Sequence, residues 1–327
     1  MAQPQLSLAE PVEGSATKPA LRVLLAAPRG FCAGVRRAIA GVEAALERYG
    51  APVYVRRPIV HNLAVVRDLE AKGAVFVEEL DAVPDGAVVI MSAHGIPDRV
   101  AREADRRELT WFDAVCPLVA KVHREVTRHH AAGRHVILIG HEGHPEIAGT
   151  LGQLPDGAAS VVGSAEAAMA LDLADDVPAA YAVQTTYSVD EAAIVIAALE
   201  ARFADLAAPP ASDICYATTN RQAAVRALAG EADAIIVAGA PFSSNACRLA
   251  EVARAAGCGT VQLVAEAGEV DFALLDGARQ IGITAAASTP EASVVAILDA
   301  LAMRFDLEIE EREAIAEATR FKPMRLI

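Results

Sequence analysis

Aromatic residues make up only 4% of the 327-residue chain. Its core therefore cannot rest on large rings. Small and β-branched residues must fill it, which suits layered α/β packing with close helix–sheet contacts. Basic residues are also scarce: 29 Lys and Arg stand against 43 Asp and Glu, a net charge of −14. That balance excludes a general nucleic-acid coat and attachment to anionic membranes. It leaves room for a small anionic substrate, because a site's field is local. No apolar run approaches the ~20 residues needed to span a bilayer. Residues 1–20 lack the basic and apolar regions of a secretory signal and read as a flexible extension. The five cysteines are scattered, with no C-x₂-C pair. That pattern excludes a disulfide framework and a close-paired structural zinc site, and it fits a reducing, cytoplasmic compartment. Neither G-x-G-x-x-G after the first strand nor a Walker A lysine motif occurs, so nucleotide use has no support.

Hydrophobic residues make up 54% of the chain, ample for more than one core. From residue 21 a unit recurs: a short β-branched run, a small-residue turn, then a helix-spaced apolar pattern. "LRVLLAA" leads into "AGVRRAIAGVEAALERYG", and "ADAIIVAGA" into "SSNACRLAEVARAAG". Alternating strands and helices imply parallel sheets. The expected fold is α/β, with three small units arranged pseudo-threefold around a central site. The expected units are 21–33 with 212–302, then 34–115, then 116–211. Ser188 with Glu191 and Ser288 with Glu291 have capping-box spacing, and Pro290 suits a first helical turn. Gly50, Gly133, Gly230 and Gly257 mark helix ends. Residues 303–327 read as a charged tail with helical character, packed on the body or on another chain.

Cys32, Cys116 and Cys215 each stand where a strand is expected to hand over to a helix. Ligands bind at that edge of open α/β sheets. A helix N-terminus there favours thiolate. Three units facing one another bring three thiolates to one point. Zinc with three cysteines and a histidine fits such a set. An iron–sulfur cluster tolerates dispersed thiolates better, and three of them on four irons leave one iron open. Cys247 and Cys258 fall outside this slot and read as structural.

His61, His94 and His144 fall on the same edge, as do Thr185, Thr186, Ser243, Ser244, Asn245 and Ser288. Hydroxyls, amides, helix N-termini and charged histidines together make a phosphate cradle. His123, His129, His130 and His135 lie on or beside a polar helix and read as solvated. The stretch "GHEGHPE" (140–146) follows the strand-like "HVILI". Its density of histidine and glutamate fits a metal, phosphate or acid–base site.

The motifs "PRGFCAGVRRAI", "VHN", "AHGIP", "DAVCPLVAKVH", "LIGHEGHPEIAGTLGQ", "QTTYSVDE", "DICYATTNRQAAVRALA" and "SSN" run in order between residues 21 and 302. They resemble the 4-hydroxy-3-methylbut-2-enyl diphosphate reductases, iron–sulfur enzymes that end the methylerythritol phosphate route to isoprenoids. The resemblance implies a [4Fe–4S] cluster on Cys32, Cys116 and Cys215. It implies a diphosphate pocket made by His61, His94, His144, Thr186, Ser243, Ser244, Asn245 and Ser288. Glu146 would deliver protons and Thr185 would help hold the substrate hydroxyl. His141 and Glu142 would be turn residues. Reduced ferredoxin or flavodoxin would supply electrons to a monomer or weak homodimer.

Several positions depart from the family pattern. Arg36 replaces an aspartate and Val115 a threonine, Tyr187 stands after the paired threonines, and Ala286 replaces a glycine. Ala240, Phe242, Ala246 and Cys247 alter the loop around "SSN". Reduction of a different allylic diphosphate, and a non-catalytic cluster-binding redox sensor, are the alternative readings.

Overall fold

The computed structural model describes residues 18–326. Most of the expected N-terminal extension, residues 1–17, lies outside them. In chain order the elements are β1 (Ala20–Ala27), α1 (Ala33–Tyr49), β2 (Val53–Arg56), α2 (Leu63–Ala71), β3 (Ala74–Val77), β4 (Val88–Met91), α3 (Asp98–Arg106), β5 (Thr110–Asp113) and α4 (Pro117–Ala131). There follow β6 (His135–Ile139), α5 (Pro145–Leu151), β7 (Ala159–Val162), α6 (Ala165–Met169), β8 (Ala179–Val183), α7 (Val189–Arg202) and β9 (Leu206–Ala207). The chain closes with α8 (Tyr216–Ala229), β10 (Ala234–Ala238), α9 (Ser244–Ala255), β11 (Thr260–Val264), β12 (Gln280–Ala285), α10 (Glu291–Ala302) and β13 (Asp306–Glu313).

These strands form three sheets, ordered β11-β10-β12-β1-β13, β3-β2-β4-β5 and β7-β6-β8-β9. Every paired register is parallel. The architecture is thus α/β with three parallel sheets, as the alternating pattern requires. Parallel strands need helical crossovers that cover both faces, so the central strands read as unbroken apolar runs. β10 (AIIVA) and β8 (AAYAV) are buried throughout. Small residues let the helices sit close. In α1 the buried stripe is Gly34, Ala38, Gly41, Val42 and Ala45, and Gly50 at φ +77° ends the helix.

Three local expectations need correction. The segment after residue 302 is not helical: β13 pairs along its whole length with β1, from Ala20↔Asp306 to Ala27↔Glu313. The open edge of β1 offers a full ladder, which outweighs the helix preference of its glutamates. Beyond it Glu317 bonds Asn220 and Arg221 of α8, and residues 322–326 lie over α1, where Arg37 Nε donates to the Lys322 carbonyl at 3.1 Å. No strand immediately precedes Cys215; an irregular stretch, 208–214, leads from β9 to α8. Ser288 is not a helix cap: Pro290 holds that place in α10, with no side-chain capping bond. Ser188 does cap α7, accepting from Glu191 N at 3.4 Å.

Candidate active site

Each strand-to-helix turn projects its polar residues from the carboxyl end of a parallel strand, and the three sheets turn those ends toward one cavity of about 110 Å³. All thirteen residues singled out from the sequence line it: Cys32, Cys116, Cys215, His61, His94, His144, Glu146, Thr185, Thr186, Ser243, Ser244, Asn245 and Ser288. Tyr187 does not. Its ring packs into the core of the third sheet and its hydroxyl donates to the Gly163 carbonyl at 2.7 Å.

The three cysteines occupy equivalent places, each the N-cap of a helix: α1, α4 and α8. Backbone bonds tie each to a loop distant in sequence. Cys32 N donates to the Ala287 carbonyl, Cys116 N to that of Ala93, and Cys215 N to that of Thr185. Cys215 Sγ lies 3.2 Å from Thr218 Oγ1, and Cys32 Sγ accepts from Val35 N at 3.4 Å. As free thiols, Cys116 and Cys215 do not show the lowered pKa expected of a helix N-terminus. Burial pushes Cys116 up to about 12 and Cys215 up to about 11. Loss of hydration outweighs the helix dipole until a cation arrives.

A cofactor must fit between these sulfurs, and Gly34 tests that. A Cβ on Gly34 would sit 2.9 Å from Cys116 Sγ and 3.6 Å from Cys32 Sγ. Glycine there keeps the cradle open. Among the described residues, no three histidines, cysteines or carboxylates close in tightly enough for a single metal ion. The donor set therefore suits a polynuclear group with soft ligands spread around it.

The histidines form a cluster opposite. His61 and His94 have ring centroids 4.6 Å apart, and His144 lies 5.9 Å from each. Burial lowers all three pKa values, His144 to about 4, and so favours the neutral imidazoles over the charged ones. His144 caps α5, its Nδ1 accepting from Glu146 N at 3.2 Å. That bond assigns the proton to Nε2, on the other side of the ring. Ser92 Oγ holds His94 Nδ1 at 2.9 Å.

Glu146 is almost wholly buried. Its Oε1 accepts from Thr185 N at 2.6 Å and its Oε2 from Thr185 Oγ1 at 2.8 Å. Burial raises its pKa to about 7, those two bonds opposing the rise and the charge of Asp213 adding to it. On the remaining wall Thr186 Oγ1 donates to Ser244 Oγ at 3.3 Å, and Ser243 Oγ meets Ser288 Oγ at 3.3 Å. Asn245 Oδ1 accepts from Ala287 N at 3.0 Å, and its amide reaches Thr218 Oγ1 at 3.4 Å. Ser243 caps α9, so that helix points unpaired N–H groups at the cavity.

Sequence reading missed Gly34, Thr218, Gln184 and Asp213. Gln184 accepts from His141 N at 2.9 Å and donates to Thr186 Oγ1 at 2.8 Å. Asp213 is buried, accepting from Val183 N and Lys121 Nζ. Thr218 had a signal, three residues past a cysteine in a first helical turn. His123 is not solvated, as expected for a polar helix; burial lowers its pKa to about 4 and Nε2 lacks a partner. His129 Nε2 is likewise buried without one, and His135 Nε2 bonds Ser160 Oγ at 2.9 Å.

Other altered positions are accommodated. Ala286 needs no positive φ and packs with Ala246 around Gly239. Phe242 is half exposed, 6.2 Å from the His61 ring.

A family model described as LytB protein matches residues 23–302. The chain is 53% identical over 310 residues to the 4-hydroxy-3-methylbut-2-enyl diphosphate reductase of Paracoccus denitrificans, covering 95% of this chain and 98% of that one. It is 53% identical over 306 residues to the enzyme of the same name from Gluconobacter oxydans, covering 92% and 91%. The solved structure of the E-1-hydroxy-2-methyl-but-2-enyl-4-diphosphate reductase from Plasmodium falciparum superposes with a TM-score of 0.88 at 34% identity, covering 93% of this chain and 96% of that one. The chain belongs to the LytB family, that of the 4-hydroxy-3-methylbut-2-enyl diphosphate reductases.

Proposed function

We propose that the chain reduces (E)-4-hydroxy-3-methylbut-2-enyl diphosphate to isopentenyl and dimethylallyl diphosphate, with Cys32, Cys116 and Cys215 holding a [4Fe–4S] cluster. The observation that carries this reading is the buried Glu146–Thr185 pair facing the same cavity as the three cysteines. Mere binding needs no buried proton donor beside its ligands. When bound, such a cluster supplies electrons one at a time and an open iron as Lewis acid for the hydroxyl.

The protein does the rest. His61, His94 and His144, with Ser243, Ser244, Asn245, Ser288 and the N-terminus of α9, receive the diphosphate. Its negative charge opposes the burial that keeps the imidazoles neutral, so they gain protons as it enters. Contacts at that end fix the distance of the allylic hydroxyl from the cysteines. Hydroxide is a poor leaving group and must depart as water. Protonated Glu146 donates to Thr185 Oγ1, and the Thr185 hydroxyl passes its own proton into the cavity. Two electrons and two protons break one C–O bond, form one C–H bond and release one water. Reduced ferredoxin or flavodoxin is the electron source, in the cytoplasm, for a monomer or weak homodimer.

Anaerobic reconstitution followed by an assay with the hydroxymethylbutenyl diphosphate and a strong reductant tests the reading. Four irons and four sulfides per chain and both isomeric products are expected. Protein that takes up only zinc, or a full cluster without product, sinks it.

A further inference from the structure

A second and larger cavity, about 610 Å³, lies behind the first. Arg29, Arg36, Arg37 and Arg320 line it, with Glu317 as the single acid. In a chain of net charge −14 this concentration of one sign is out of character. Glu317 does not neutralise it, being paired with the buried Arg221 at 2.8 Å. Arg29 is matched by Glu291 and Glu311. Arg37 is engaged, donating to the Ala114, Val115 and Lys322 carbonyls and interacting with the Asp113 carboxylate. Arg36 and Arg320 are exposed and form no salt bridge among the described residues.

The position of this cavity says what it serves. Phe31 and Ala33, which flank Cys32, line it, and so does Tyr216, which follows Cys215. Both cysteines line the first cavity. One layer of backbone therefore separates the two, pinned where Tyr216 Oη accepts from Ala33 N at 3.0 Å. The basic cavity thus reaches the residues beside Cys32 and Cys215 from the face that the histidines do not line.

We propose that this cavity is the docking surface for a small acidic one-electron carrier protein, and that Arg36, with Arg320, sets the strength of that encounter. The inference rests on the reductase reading. The carrier docks and is oxidised twice per turnover. Those two electrons, with two protons, cleave the substrate's C–O bond, form the C–H bond and release water. Acid on the carrier against arginine here steers association and weakens with salt, because charges beyond ~8–10 Å are screened.

The test titrates a bacterial ferredoxin against the intact chain at low and moderate salt and measures the dissociation constant. Arg36→Glu with Arg320→Glu should weaken binding about tenfold or more and flatten its salt dependence. In the cluster-loaded enzyme the ratio of ferredoxin-driven to viologen-driven turnover should fall with it. Arg124→Glu with Arg128→Glu makes the same change of net charge on exposed arginines of α4, beside a different pocket, and should leave binding as it was. Unchanged affinity in the Arg36/Arg320 variant overturns the proposal, as does equal weakening by both variants. Wild-type protein that binds ferredoxin here but makes no product even with viologen overturns the reductase reading and leaves the docking surface standing.

Discussion

Glu146 grips Thr185 with both carboxylate oxygens, one on the backbone N–H at 2.6 Å and one on the hydroxyl at 2.8 Å. A carboxylate with a single partner could turn away from the cavity. Held twice, it keeps the Thr185 hydroxyl at one place. Burial meanwhile makes the proton available near neutral pH.

Glu146→Gln keeps the shape and an acceptor for the Thr185 N–H but removes the transferable proton. Turnover should fall about 10²–10³-fold with cluster content unchanged. Anaerobic single-turnover rates beside iron analysis measure both. Full activity in the variant removes Glu146 from the proton path.

With its pKa at about 7, Glu146 is the required acid below that pH and loses its proton above it. Turnover should therefore decline as pH rises through about 7. Asp213 contributes to the raised value by like charge. Asp213→Asn should lower the pKa of Glu146 and move the falling limb to more acid pH. A limb that stays in place, or moves the other way, assigns it to another group.

Gly34→Ala places a methyl group against Cys116 Sγ, a sulfur rather than a movable chain end. The chain should fold, as judged by circular dichroism, yet hold less iron and sulfide than wild type. Cys116→Ser should lose the cluster. Cys247→Ser should not, since Cys247 Sγ donates to the Pro241 carbonyl on a different face of the loop. Equal cluster loss from both serine variants breaks this sorting of the cysteines.

Arg221 is fully buried, donating to the carbonyls of Gly30 and Ala217 as well as to Glu317. Glu317→Ala leaves a buried guanidinium without its counter-charge and should cost about 3 kcal/mol in denaturant unfolding. A loss under ~0.5 kcal/mol, the scale of an ordinary surface change, means that water replaces the carboxylate.

The parallel architecture was legible because almost every strand and helix carries its own punctuation, as at Ser188, Gly50 and Gly133. Cys32, Cys116 and the three histidines after strands pointed to one cavity because parallel strands present their carboxyl ends together; Cys215 reaches it from an irregular stretch instead. What escaped depends on contacts between distant segments. β13 alternates Leu307 and Ile309 with acids, a weak strand signal until the edge of β1 is beside it. His123 looked exposed because its burial comes from Gly95, on another turn. The thiol pKa values went against expectation because the helix N-terminus is local while desolvation depends on the whole fold. Gly34 carried no signal as a site residue, since its part is the space left by a missing side chain.

β1 lies between β12 and β13, so the first strand of the chain is flanked on both sides by the last two. Ala20 pairs with Asp306, across almost the whole sequence. Contacts of such separation form late, because a loop of nearly three hundred residues must close before they reward it. The second and third sheets draw only on residues between β2 and β9 and can close earlier. Cys32 is thus the first of the three cysteines to be made and the last to be fixed in place. A metal group that needs Cys32 is therefore held only once these long-range strands have paired, and a change in β13 would be felt at β1, on the far side of the sequence.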